Sequence, residues 1–253
     1  MVAKKKAVKK ATKNDVALIL TQDSNEGFED ADSTSYAIPF LTILQKLSPQ
    51  VDKDEATYVK GAKPGMIINT VTRELYDEVV VVPVHYRKSF IEWVLRENGG
   101  GFRGENDPAL GRELQAQCTV NDKNQFILEN GNQLSETANH YVLVEDESGW
   151  QPVLISMAST QLKASRTWMT QMKQATVAVN GGNAKAAMFA YRWTLSTEAQ
   201  KNDKGKWFGW TLERGLQVNT LEIIQEARGT REAVAQNRIT FDRTQQEAAE
   251  NAL

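Results

Sequence analysis

The chain has little of what most enzymes and secreted proteins depend on. It holds a single cysteine, Cys118, and two histidines, His85 and His140. One cysteine excludes a disulfide framework and a multi-cysteine zinc site, and it fits a reducing compartment. No apolar run approaches the roughly 20 residues of a membrane helix. Met1 to Lys13 is rich in lysine but lacks the apolar core of a signal peptide. These absences point to a cytoplasmic protein with no membrane partner. Excess charge of one sign is missing too. The net charge is −2, so an electrostatic partner has to be sought in the local distribution of charge. What remains is 41% hydrophobic and 25% charged, the make-up of a globular protein that can bury an ordinary core.

Catalytic patterns are equally scarce. No H-E-x-x-H, G-x-S-x-G or Walker sequence occurs. His85 and His140 both lie in β-branched stretches, which reads as satisfied structural histidines rather than general bases. The carboxylates Asp52, Asp54, Glu55, Asp77 and Glu78 occupy turn-like, solvated positions. Gly99 to Gly104 is rich in glycine, but no lysine with Ser or Thr follows, so it is not a phosphate loop. It reads as a mobile loop that lets Phe102 and Arg103 close over a ligand. The expectation is no enzyme, no cofactor and no metal.

The richest stretch is Pro152 to Gly215. Val153 to Met157 reads as a strand and Thr160 to about Val177 as a helix, with Ser159 as its N-cap. At 100° per residue, Leu162, Ala164, Trp168, Met169, Met172 and Ala175 share one arc of that helix. Lys163, Arg166, Thr170 and Lys173 share the adjoining arc. A hairpin follows, from Ala187 to Thr197, turning at Asn202 to Gly205 and returning from Lys206 to Arg214. Phe189, Tyr191 and Trp193 alternate along its first strand and so fall on one face. Lys206, Trp207, Phe208 and Trp210 open the second.

Upstream, Ile38 to Leu47 is apolar and ends at the turn signal Ser48-Pro49. It is either strand or short helix. Met66 to Val71 reads as a strand. Glu78 to Val84 is a buried strand running on through Tyr86, Arg87, Lys88, Phe90 and Trp93, and Pro83 within it implies an edge position or a bulge. Gln125 to Leu128 is a short strand, and Asn106 to Gln117 is loop with some helix. His140 to Glu145 and Val153 to Met157 form a hairpin around Glu147-Ser148-Gly149. A helix between the third and fourth principal strands is the connectivity of an OB barrel. The fold expected is therefore β-rich α+β, an OB-like five-stranded Greek-key barrel with one inserted helix. Residues 1–35 form a charged, disordered arm, 36–215 the barrel, and 216–253 a helical extension broken near Gly229. The end, from Ile239 onward, is polar and either frayed or lightly docked.

Between Pro152 and Gly215, cations outnumber Glu198, Asp203 and Glu213 severalfold, and aromatic rings interleave with them. Such a lobe suits a polyanion, and rings suit the exposed bases of a single strand, each stacked base contributing roughly 1–3 kcal/mol. Against this, one face of any barrel strand points inward, so part of the ring set belongs to the core. The candidate contacts are Tyr86, Arg87, Lys88, Trp93, Phe102, Arg103, Lys163, Arg166, Lys173, Arg192, Trp193, Lys204, Lys206 and Trp207.

Four segments carry a resemblance: Ile38-Pro39-Phe40-Leu41 through Leu47-Ser48-Pro49, Gly65 to Thr70, Gly99 to Gly104, and Ile155-Ser156-Met157 through Trp168. Over most of residues 36–195 the chain resembles single-stranded DNA-binding proteins of tailed-bacteriophage replication modules. That resemblance implies an OB-fold binder that coats template strands, with phage replication proteins as partners. The end, Glu247 to Leu253, departs from the strongly acidic tail with a terminal aromatic that recruits partners in many such binders. No binding residue is carried over from the family. Two other readings stay open: a strand-annealing recombination protein, which would form homo-oligomers, and a phage structural or host-interaction protein.

Overall fold

The computed structural model describes residues 12–22, 26–30, 38–147, 149–203, 205–239, 241 and 243. By internal contacts the chain divides into Met1–Tyr36 and Ala37–Leu253. In the first unit, the described residues hold helix α1 (Lys13–Gln22), on which Val16, Leu18 and Leu20 are exposed. Most of the charged arm expected from the sequence lies outside the described residues.

The second unit opens with three short strands, β1 (Leu41–Ile43), β2 (Ile67–Asn69) and β3 (Leu75–Tyr76), in one small antiparallel sheet. The long strand β4 (Glu78–Trp93) follows, then β5 (Phe102–Asn106) and helix α2 (Pro108–Gln117). Asp107 caps α2 by accepting from the amides of Ala109 and Leu110, with Pro108 in the first turn. A Cβ on Gly111 would stand 2.2 Å from the ring of Phe90, so glycine is what lets α2 lie directly on β4. Two short strands, β6 (Thr119–Val120) and β7 (Phe126–Ile127), precede the hairpin of β8 (Gln133–Asp146) and β9 (Gly149–Ala158). Helix α3 (Leu162–Gln174) comes next, then the small hairpin of β10 (Thr176–Val179) and β11 (Gly182–Lys185). The chain continues through β12 (Tyr191–Asn202) and β13 (Gly205–Gln217) into helix α4 (Leu221–Ala235).

The main sheet runs β13-β12-β4-β8-β7-β6, with β9 on the free side of β8 and β5 on the far half of β4. Every strand pair in it is antiparallel, and the sheet curls into a half-barrel. It carries more strands than a five-stranded barrel, because β5, β6 and β7 extend one end. Strand β1 lies beside both β9 and β13. Phe40 bridges Leu154 in parallel, and the side-chain amide of Gln45 donates to the Phe208 carbonyl and accepts from the Phe208 amide, both at 2.9 Å. One side chain thus completes the hydrogen bonding of a strand edge at that point.

Strand β4 is central, so Pro83 marks a bulge rather than an edge: the register against β8 shifts between Pro83 and His85. A one-residue shift exchanges the two faces of a strand. Val79 and Val81 therefore point inward before it, and Tyr86 after it. The inner face of the curl is closed by α3. Its Trp168 and Met172 are buried with Val142, Ile155, Trp193, Leu195 and Trp210. The outer face holds a second core, Phe40, Val82, Val84, Tyr141, Leu143 and Leu154, covered by Ile223, Ala227 and Val234 of α4.

Three local expectations are corrected. Ser159 makes no capping hydrogen bond: it opens a 3-10 turn (Ser159–Gln161) with φ of +50°, and α3 starts three residues later. The helix ends at Gln174 because the β-branched run after it pairs as β10 instead. Helix α4 runs through Gly229 without a break, its Ala227, Thr230 and Val234 all buried against the sheet. Tertiary burial outweighs the roughly 1 kcal/mol that a mid-helix glycine costs.

Candidate nucleic-acid interface

The rings and cations expected to share one channel are distributed over four places. On α3, Lys163, Arg166 and Lys173 are exposed, and they form the rail that the helical arc predicts. Tyr86 and Lys88 lie on the inner side of β4, near Arg166. Tyr86 is half-buried, and burial raises its phenol above the ordinary value. Lys88 is paired with Glu136 at 2.6 Å, so part of its charge is already answered.

At the far end of β4, Trp93 meets Phe102 edge to face, with ring centroids 5.9 Å apart. Gly99, Gly100 and Gly101 all take positive φ in the turn that joins them. Phe102 thus packs on its neighbour across the β4–β5 pair, while Arg103 points into solvent. The hairpin of β12 and β13 supplies exposed Lys206 and half-buried Trp207. Lys204 lies outside the described residues.

The remaining two cations are on the outer face. Arg87 donates to the Val234 carbonyl at 3.1 Å, at the C-terminal end of α4, where a cation also meets the negative end of the helix dipole. Arg192 lies over the ring of Trp150, 5.2 Å from its centroid.

Trp193 is a correction. It is 1% exposed and stands edge-on to Trp168 within the inner core, so it offers no face to a base. Nor do Phe189, Tyr191 and Trp193 share one face. Phe189 belongs to a 3-10 turn (Met188–Ala190) packed on the outer core, whereas Tyr191 and Trp193 both pack on the inner one. Trp168 and Trp210 are buried as well.

His140 completes the inner stack. Its ring lies 4.6 Å from that of Trp168 and 5.2 Å from that of Tyr86, and its Nε2 hydrogen-bonds the Ser165 hydroxyl at 2.8 Å. Burial pushes its pKa down to about 3, so it is neutral at physiological pH.

The sequence reading missed a polar cluster on the outer face. Ser89, Asn139 and Ser156 come from adjacent strands β4, β8 and β9. Asn139 donates to Ser89 at 2.8 Å and accepts from Ser156 at 2.7 Å. Into this row comes Arg243, from beyond α4, with its side chain 3% exposed. Its Nε donates to Glu105 at 2.7 Å, and its terminal nitrogens reach Ser156 at 3.3 Å and Asn139 at 3.2 Å. Burial alone would raise the Glu105 pKa; Arg243, with help from Ser89 and Arg87, holds it below the ordinary carboxylate value. Two residues before Arg243, Phe241 stands edge-on to Phe40 and Tyr141, with centroids 6.0 and 5.0 Å apart.

A family model described as Pam3 phage gp34-like protein matches residues 8–240. The chain belongs to the Pam3 phage gp34-like family. The match covers every strand of the three described sheets and the four described α-helices. It also identifies the chain as a phage protein, the coarser part of what the sequence resemblance implied. Searches of curated proteins and of solved structures gave no match. Among the described residues, no helix is long and apolar enough to cross a membrane.

Proposed function

We propose that this gp34-like protein is a non-catalytic single-stranded DNA-binding protein of phage DNA replication or recombination, built on an OB-like barrel. The observation that carries the reading is connectivity. Strands β4, β8 and β9 lie side by side and antiparallel, with β5, α2, β6 and β7 inserted between the first two; α3 follows β9, and after the β10–β11 hairpin β12 returns to pair with β4. With the insertions set aside, this order supports an OB barrel, which carries its helix between the third and fourth strands. The parallel contact that would close such a barrel, between its third and fifth strands, is replaced here by β1, which packs between β9 and β13.

Electrostatics supports the same reading. Lys163, Arg166 and Lys173 are exposed on α3, and Lys206 is exposed on the hairpin. Cations on a surface steer a polyanion and release its counterions on contact. Ring stacking contributes less than the sequence implied, because the Trp193 and Trp168 faces are sealed. The non-catalytic part of the reading is supported by His140, which is committed to Ser165 and Trp168.

Fluorescence anisotropy of labelled oligo-dT, titrated with the full chain at several salt concentrations, tests the proposal. The expected result is binding at low salt that weakens steeply as salt rises. Absence of binding at low salt overturns it. Size-exclusion of the same mixtures sets the protein apart from a strand-annealing relative, which would form rings or filaments with the oligonucleotide.

A further inference from the structure

The β10–β11 hairpin takes no part in the main sheet. It forms a two-stranded sheet of its own, in which only the opposed pair Val177 and Ala184 is half-buried and the rest is exposed. A lone two-stranded hairpin is marginal in water, so its hold comes from its base. There the Tyr191 hydroxyl donates to the Thr176 carbonyl, and the Ala186 amide donates to the Ala175 carbonyl at 2.9 Å. The same tyrosine carries a cation, since the Arg214 guanidinium lies over its ring, 5.1 Å from the centroid. Lys185 stands opposite Thr176 across the hairpin, and Lys173 stands in the last turn of α3, just before β10. All three cations are exposed. Beside them, Tyr191 pairs with Gln217 and Trp193 with Arg214, so β13 carries one residue more than β12 in that interval. Such a bulge re-aims a side chain, and Leu216 within it is 81% exposed. No carboxylate answers this charge from the neighbouring sequence: between Glu147 and Glu198 there are five cations and no acidic residue. Glu213 lies opposite Thr194, on the other face of β13 from Arg214.

We infer that the base of the β10–β11 hairpin, with Lys185, Tyr191, Arg214 and Leu216, is a contact site for single-stranded nucleic acid that continues the basic rail of α3. The inference rests on the single-stranded DNA reading, and it adds a site on the hairpin, β12 and β13 rather than on β8 and β9. From Lys163 to Lys173 the rail spans roughly 15 Å of helix. A strand laid along it meets Lys185 and Arg214 where α3 ends. The cations neutralise phosphates and release their counterions. Arg214 is held ready by the Tyr191 ring, and that ring is itself fixed by its bond to Thr176. Leu216 offers an apolar side chain to a base or sugar, a contact that carries no charge.

The test uses the full chain in four forms: wild type, Lys185→Gln with Arg214→Gln, Leu216→Ser, and Arg112→Gln with Lys123→Gln. The last pair removes the same charge from exposed residues of α2 and the β6–β7 turn, at the far edge of the sheet from β13. Circular dichroism checks that each form folds, and anisotropy reports oligo-dT affinity over a range of salt. The Lys185 and Arg214 variant is expected to bind about tenfold more weakly at low salt, with a salt slope lower by about two. Leu216→Ser is expected to weaken binding about threefold with the slope unchanged. The Arg112 and Lys123 variant is expected to behave as wild type. If the wild type binds and the Lys185 and Arg214 variant keeps its slope, or the far pair lowers the slope equally, the hairpin site is overturned and the DNA reading stands. If the wild type does not bind oligo-dT at low salt, the DNA reading falls and the site with it.

Discussion

The two faces of the curled sheet are built from the same strands but on different terms. The inner face is closed by a helix inserted mid-chain and filled with large rings, its one histidine kept neutral by burial. The outer face is covered by an element from the end of the folded region. Its core is mixed: apolar under α4, and ionic and hydrogen-bonded under Arg243. Removing the inner cover would expose Trp168 and Trp193 and cost the fold. The outer cover lies on an apolar core under α4 and on a polar row under Arg243. One face is closed from mid-chain, the other from the end of the folded region.

The strongest way to break that comparison is Trp193→Ala. Emptying so large a buried site should destabilise by about 3–5 kcal/mol in urea denaturation. A neutral result would show that the inner face is not the main core. Next comes Arg243→Ala. Breaking a fully buried ion pair costs about 3–5 kcal/mol, but Glu105 is one-third exposed, so about 1–3 kcal/mol is expected. A loss equal to that of Trp193→Ala would erase the distinction between the faces.

A smaller effect sharpens it through pH. His140 has its pKa lowered in the folded state from 6.5 to about 3, so above pH 6.5 it is neutral whether the chain is folded or not. Below that value the unfolded chain takes up a proton that the folded one refuses, and stability falls with pH. Between pH 7 and pH 5.5 this should remove about 1 kcal/mol, and His140→Gln should flatten most of the slope. His85, on the outer face, is shifted the same way, chiefly by burial with help from Arg87 and Arg231. Its substitution should flatten the slope less. The reverse ranking would contradict the placement of the dry face.

The smallest stability effect is expected for Lys163→Ala and Arg166→Ala. Each should change stability by no more than about 0.5 kcal/mol yet lower the salt slope of oligo-dT binding by about one. An unchanged slope would remove α3 from the contact surface.

Local pattern made much of this legible. The arcs of α3 follow from helical spacing, and the buried and exposed residues fall as that spacing requires. Pro83, which cannot donate within a sheet, marked the bulge. The hairpin turn at Asn202 to Gly205 was legible from its residues. Which face of β12 points inward was not, because alternation fixes which residues share a face and not which face meets the core. Trp193 therefore looked as available as Trp207. The outer cluster was illegible for a different reason. Arg243 sits in a polar segment without periodicity, and its partners Glu105, Asn139 and Ser156 lie 138, 104 and 87 positions away. Only the pairing of β4, β5, β8 and β9 brings them together.

Hydrogen exchange of the wild-type chain, with and without saturating oligo-dT, tests the central contrast most directly. The account predicts slower exchange across α3 and the β10–β11 hairpin when the oligonucleotide is bound, with α4 unchanged. An oligonucleotide footprint confined to α4 and the outer face, or no footprint at all, would contradict it.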